Sequence, residues 1–231
     1  MTQPKPKIKA IIFDADNTLY TIKTENAYNA LYKYLAEQTD DTITNIRNRH
    51  KEIRDSIKKE RDPKKRTYAY SIATLLKEYD KDTKELIEEA LKIFWQKIID
   101  DLEETPTSII TIIELKDKYN LAIASDEFMP VLKKKLNRIF GPWADSFKTF
   151  VTPEDTNTMK PSEKYYQMSL EKLKIKPEEA IVVGDSYIRD LGPAKSCGIT
   201  TVLLGQVPDG TPDYHIKKMI ELKKIIQKCE D

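Results

Sequence analysis

Two cysteines, two histidines and six glycines are all that 231 residues contain of those types. Cys197 and Cys229 have neither a close pairing nor the spacing of a thiolate metal site, so a disulfide scaffold and a zinc module are both set aside. No apolar run approaches the roughly 18 residues that span a bilayer, and the opening MTQPKPKIKA carries positive charge without the apolar stretch of a signal segment. Net charge is also missing. With 39 Lys+Arg against 38 Asp+Glu the balance is +1, so no whole-molecule field attracts nucleic acid or a membrane surface. The expectation is a cytoplasmic protein with reduced thiols, a monomer or weak dimer, with no nucleic-acid or membrane partner. Any charged ligand must then be recognised locally.

What is present begins with charge of both signs. The charged fraction is 33%, above the roughly 25% of ordinary globular domains. This is the expected surface of a thermophile's protein, because ion-pair networks gain value with heat; melting well below about 65 °C would contradict it. The length suits one body and one insertion. Residues 7–13 form a short Ile-rich run that reads as a buried parallel strand, and NLAIAS (120–125), KTFVT (148–152), AIVVGD (180–185) and TTVLLG (200–205) read likewise. Helical patterns lie between the later four, one opening at Pro130 and stopping at Gly141. Alternating strands and helices predict an α/β fold: a Rossmann-like parallel sheet of five core strands, with room for an added edge element, covered by helices.

The gap after the first strand holds four amphipathic helices and no convincing strand. Their apolar stripes are Tyr28, Leu31, Tyr32, Leu35; Ile43, Ile46, His50, Ile53, Ile57; Tyr68, Ile72, Leu75, Leu76, Tyr79; and Ile87, Leu91, Phe94, Ile98, Leu102. An inserted all-α bundle over 21–103 follows, with 1–20 and 104–231 forming the body.

In open parallel sheets ligands bind beyond the carboxyl ends of the strands. Asp14, Asp16 and Thr18 follow the first strand, Ser125 and Asp126 the second, and Asp185, Ser186 and Asp190 the fourth, while Lys160 lies in a loop before it. Alone, an Asp at a strand end caps a turn and a Lys-Pro is a solvated loop; their order at successive strand ends is what points to function. Clustered carboxylates in a cleft need a cation, and hard oxygen donors with room for a phosphate oxygen favour Mg2+.

These residues resemble the haloacid dehalogenase-like hydrolases, in the branch with a helical cap inserted after the first strand. FDADNTL matches the first motif, IAS the second, the KP at Lys160 the third and VVGDSYIRD the fourth, covering nearly the whole chain. The resemblance implies Asp14 as nucleophile and Asp16 as general acid and base. It implies Ser125, Lys160, Thr18 and the amide of Asp126 as holders of phosphate. Asp14, the backbone carbonyl of Asp16, Asp185 and Asp190 are the implied surroundings of Mg2+. Position 126 is commonly Asn in relatives, so Asp126 is a departure. The dehalogenase branch lacks the second acid that Asp16 supplies here, which argues against haloacid substrates.

The run KKERDPKKR (58–66) reads first as a solvated turn. In an up-down bundle, however, the loop between the second and third helices returns to the hinge end, which makes Arg61, Lys64, Lys65 and Arg66 candidates to meet an anionic substrate tail. His50 is expected packed and hydrogen-bonded rather than ligating. The functional expectation is a Mg2+-dependent phosphatase of a small phosphorylated metabolite, such as a sugar phosphate, phosphoglycolate or a nucleotide. A phosphomutase would use the same site and differ in its product. A receiver-type binding module shares the Asp, Ser/Thr and Lys set but has no use for a lobe of about 80 residues or for Asp16.

Overall fold

The computed structural model describes residues 7–59, 62–205 and 210–230. In chain order the elements are β1 (Ala10–Phe13) and β2 (Tyr20–Thr21), then four helices, α1 (Glu25–Thr39), α2 (Ile43–Ile57), α3 (Tyr68–Lys77) and α4 (Lys84–Asp100). After β3 (Glu103–Glu104) come α5 (Ser108–Leu115), β4 (Asn120–Ala124), α6 (Met129–Phe140), β5 (Phe147–Val151), α7 (Pro153–Thr156) and α8 (Lys164–Leu173). The chain ends with β6 (Ala180–Gly184), α9 (Gly192–Ser196), β7 (Thr200–Leu204), β8 (Tyr214–Ile216) and α10 (Leu222–Glu230). Two compact units result: one from the residues up to Thr21 and those from Glu103 onward, the other spanning Ile22–Leu102.

The first unit is built on a six-stranded sheet in the order β5-β4-β1-β6-β7-β8, parallel at every pairing. All four residues of β1 are buried, as a strand covered on both faces requires. Its last residue, Phe13, is in register with Ile123 of β4 and Val183 of β6. The strand order therefore reverses direction at β1, with β4 and β5 on one side and β6, β7 and β8 on the other. That is the position where a crevice opens beyond the carboxyl ends. One side packs Ile12, Ala122 and Val182 against Tyr165, Tyr166, Leu191 and Ala194. The sixth strand, β8, is the added edge element. The pair β2 and β3 forms a separate two-stranded antiparallel ribbon, which no sequence pattern signalled because each strand has only two residues.

The second unit is a four-helix bundle in which α1 and α3 each pack against α2 and α4. Leu31, Leu35, Ile46, Ile53, Ile72, Leu75, Phe94 and Ile98 fill it. Threonine starts three of its helices: Thr42, Thr67 and Thr83 accept hydrogen bonds from the amides of Asn45, Tyr70 and Leu86, which satisfies donors left open at a helix start. His50 is fully buried, with Nε2 3.0 Å from Ser71 Oγ and Nδ1 3.3 Å from the Tyr32 hydroxyl. Among the described residues, no helix is long and apolar enough to cross a membrane.

Candidate active site

The turn after β1 positions two acids differently. The Asp14 amide still donates to the Val183 carbonyl (2.9 Å), so its Cα continues the strand. The chain then folds back at Asn17, whose φ of 64° is left-handed, a region Asn tolerates better than other side chains. Thr18 and Leu19 both donate from their amides to the Ala15 carbonyl. This single turn brings Thr18 Oγ1 within 3.0 Å of Asp14 Oδ2, to which it donates. The other Asp14 oxygen, Oδ1, accepts from the Lys160 ammonium at 2.7 Å.

Lys160 has a fully buried side chain and uses its three donors on Asp14 Oδ1, Asp190 Oδ1 and the Ala124 carbonyl, each at 2.7 Å. Burial alone would lower its pKa, but the charges of Asp14 and Asp190 raise it well above the usual lysine range, so it stays a cation. The loop bearing it is anchored by Asp126, whose Oδ1 accepts from the Lys160 amide (2.8 Å) and the Tyr165 hydroxyl (3.0 Å), while Oδ2 accepts from Arg189 (2.8 Å). The departure at position 126 thus places a carboxylate in a bonded network. Ser125, buried at the end of β4, donates its amide to Val151 and accepts at Oγ from the Glu127 amide.

Beyond β6 the chain makes one π-helical turn, Tyr187–Leu191, the kind of local irregularity frequent at functional sites. It carries Asp190 back against Gly184: a Cβ at position 184 would lie 2.9 Å from that of Asp190, so the approach requires glycine. Asp14, Asp185 and Asp190 each place a carboxylate oxygen within 4.8 Å of the others. The outer side of Asp185 is exposed, yet the protein packed behind it, together with the charges of Asp14 and Asp190, pushes its carboxyl up to about 7. Burial, then the charge of Asp14, pushes Asp190 up to about 6 against the pull of Lys160. Three clustered carboxylates, of which Asp14 and Asp190 share the Lys160 ammonium, offer hard oxygen donors that fit a divalent cation such as Mg2+.

Asp16 belongs to a second group. Both its oxygens lie 3.2 Å from the ammonium of Lys135, which also donates to Glu127 Oε2 at 2.7 Å. Lys135 is 1% exposed, and its pKa is raised because Asp16 and Glu127 outweigh the effect of burial. Glu127 is pushed up by burial and by Asp16, with Lys135 opposing. Sequence reasoning missed Lys135, Glu127 and Arg189. A signal for Lys135 was present: it falls on the apolar stripe of Leu132, Leu136 and Phe140 within a run of three lysines.

Of the charged-loop candidates, Arg61 lies outside the described residues. Lys64, Lys65 and Arg66 occupy a turn organised by Asp62, whose side chain accepts from the Lys64 amide and whose carbonyl accepts from those of Lys65 and Arg66.

A family model described as a haloacid dehalogenase-like hydrolase matches residues 8–198. Among curated proteins, the chain is 26% identical to a glyceraldehyde 3-phosphate phosphatase of Methanocaldococcus jannaschii, over 95% of this chain and 97% of that one. It is 29% identical to the pyrophosphatase PpaX of Bacillus mycoides, over 55% and 61% of the two chains. Among solved structures, a phosphatase of the same superfamily from Thermococcus onnurineus superposes with a TM-score of 0.70 at 29% identity, over 95% of this chain and 98% of that one.

Proposed function

The chain belongs to the haloacid dehalogenase-like hydrolases, and from that premise we propose that it is a Mg2+-dependent phosphatase that releases phosphate from a small phosphorylated metabolite through an aspartyl-phosphate. One observation carries the reading: the two acids of the first turn are held by different cations, Asp14 by Lys160 and Asp16 by Lys135. A nucleophile and a proton carrier need separate surroundings.

In the first half-reaction an oxygen of Asp14 attacks phosphorus, the bond to the leaving oxygen breaks, and Asp16 gives that oxygen its proton. In the second, Asp16 takes a proton from water whose oxygen attacks the same phosphorus, which frees Asp14 and inorganic phosphate. Thr18 and Lys160 fix the attacking carboxylate, and Lys160, Ser125 and the amide of Asp126 meet the phosphoryl oxygens. Asp14, Asp185, Asp190 and the backbone carbonyl of Asp16 would hold Mg2+, which when bound supplies charge neutralisation at the phosphoryl group. Lys135 holds Asp16 in place, and Lys64, Lys65, Arg66 and Arg61 are assigned to an anionic part of the substrate.

Relatives named for glyceraldehyde 3-phosphate and for pyrophosphate put both compounds in the first test. A panel of sugar phosphates, phosphoglycolate, nucleotides, glyceraldehyde 3-phosphate and pyrophosphate is assayed for phosphate release with Mg2+ and with chelator. Release that needs both Mg2+ and Asp14 supports the reading. Transfer of the phosphoryl group to a second hydroxyl, without net release, would make the protein a mutase.

A further inference from the structure

The basic residues of α2 are not used alike. Arg49 grips Glu78 with two bonds, 2.7 and 2.6 Å, and Glu52 with a third of 2.6 Å, while Lys58 pairs with Asp55 at 2.9 Å. Arg54 is half-buried, and no carboxylate among the described residues pairs with it. Its guanidinium carbon lies 4.2 Å from the ring centre of Tyr68 and 5.2 Å from that of Tyr28. Stacking of this kind offsets part of the desolvation of the cation; Arg54 also hydrogen-bonds Tyr68, and with five N–H donors the planar guanidinium has more than that contact uses to offer an oxyanion.

Arg54 lines a cavity of about 530 Å³ between α1 and α2. Tyr28, Asn29 and Tyr32 form the α1 wall, with the rings of Tyr28 and Tyr32 stacked at 5.5 Å; Arg47, Lys51 and Arg54 form the α2 wall. Arg47 donates to Asn29 at 3.1 Å and stands over the Tyr32 ring. Asp55 and Lys58 also line the cavity but pair with each other, so three cations face a single remaining acid, Glu25. Within a chain of almost zero net charge, this is a local positive surplus in a concave site with a flat aromatic wall.

We propose that this cavity binds the oxyanion group, carboxylate or phosphate, of a small metabolite, with Arg54 as the bidentate donor and Lys51 and Arg47 as supporting charges. The same oxyanion could arrive as a second anionic group on the substrate or as a free anion acting on the enzyme. The binding measurement depends on neither alternative, nor on the chain being a phosphatase.

The full chain is titrated with malonate and with inorganic phosphate while the backbone amide resonances of Asn29 and Arg47, which line the cavity in every variant, are followed. A saturable shift is expected, with the dissociation constant raised at least about tenfold in Arg54→Met and about threefold in Lys51→Gln. Arg54→Lys keeps a cation between the rings and should bind at least about threefold more weakly, which carries the test if Arg54→Met fails to fold. Two kinetic arms identify the source. A drop of about tenfold in kcat/KM for 2-phosphoglycolate in Arg54→Met, with a neutral aryl phosphate unchanged, assigns the oxyanion to the substrate. A malonate effect on aryl phosphate turnover in the wild type that is absent from Arg54→Met assigns it to a free anion. The proposal is overturned if neither probe shifts the Asn29 and Arg47 resonances, or if folded Arg54 variants bind both probes as the wild type does; Arg54 would then be only a stacking cation that joins α1, α2 and α3.

Discussion

Lys135 and Lys160 divide the acids of the site between them, and each division makes a prediction. Removing the Lys135 ammonium in Lys135→Met leaves Glu127 and Asp16 facing each other without a counter-charge, so kcat should fall by about 10- to 100-fold, with a smaller change in KM. Lys135→Arg should recover part of the loss, whereas a kcat unchanged in folded Lys135→Met contradicts the role. The second prediction concerns Asp185, whose carboxyl is raised from 3.8 to about 7 in the folded protein without metal. A raised carboxyl stabilises the fold when protonated, and that contribution is lost as pH rises through about 7. In chelator, Asp185→Asn should therefore melt higher than the wild type at pH 8, with the gap closing toward pH 4. Mg2+ should stabilise the wild type above pH 7 and do so less in the variant; equal effects of Mg2+ on both proteins contradict ligation by Asp185. The acids, Ser125 and Lys160 were legible because strand ends are few and each carried a polar residue. Lys135 was not, since a lysine in the run at 133–135 reads as solvated unless helix phase is tracked residue by residue.

At the scale of elements, the helices were legible from spacing, whereas the capping threonines Thr42, Thr67 and Thr83 came from the structure. What spacing could not give was the charge state inside the bundle. Burial, then the charge of Arg54, lowers the pKa of His50 from 6.5 to about 4. The unfolded chain takes up a proton at this residue below about pH 6.5, and the folded chain does so only near 4. Stability from neutral His50 is thus present above pH 6.5 and lost as pH falls to 4, at most about 3 kcal/mol. Replacing it in His50→Gln should lower the melting temperature at pH 7, because Ser71 and Tyr32 lose their partner. It should also flatten the decline between pH 6.5 and 4; an equally steep decline in the variant contradicts a buried neutral histidine. The strands were legible from their apolar runs, although β8, with three residues and His215 Nε2 donating to the Gly205 carbonyl, offered too short a run to be read as more than an added edge.

At the scale of the molecule, the sheet order gathers residues far apart in sequence. With β1 between β4 and β6, the ends bearing Asp14, Ser125 and Asp185 stand side by side, and the loop of Lys160 and the π-turn of Asp190 complete the set. The parallel fold was legible because strands and helices alternate after residue 104. The strand order had to come from the structure, since a crossover can place the next strand on either side of β1. The account rests most heavily on Asp14 as the atom donor that receives phosphate. The direct measurement is rapid acid quench of Asp16→Asn with Mg2+ and a turned-over phosphate ester, followed by peptide mapping. Without Asp16 to activate water, the aspartyl-phosphate should accumulate on the peptide containing Asp14 and be absent from Asp14→Asn. No phosphate on that peptide, together with continued turnover by folded Asp14→Asn, would contradict the account.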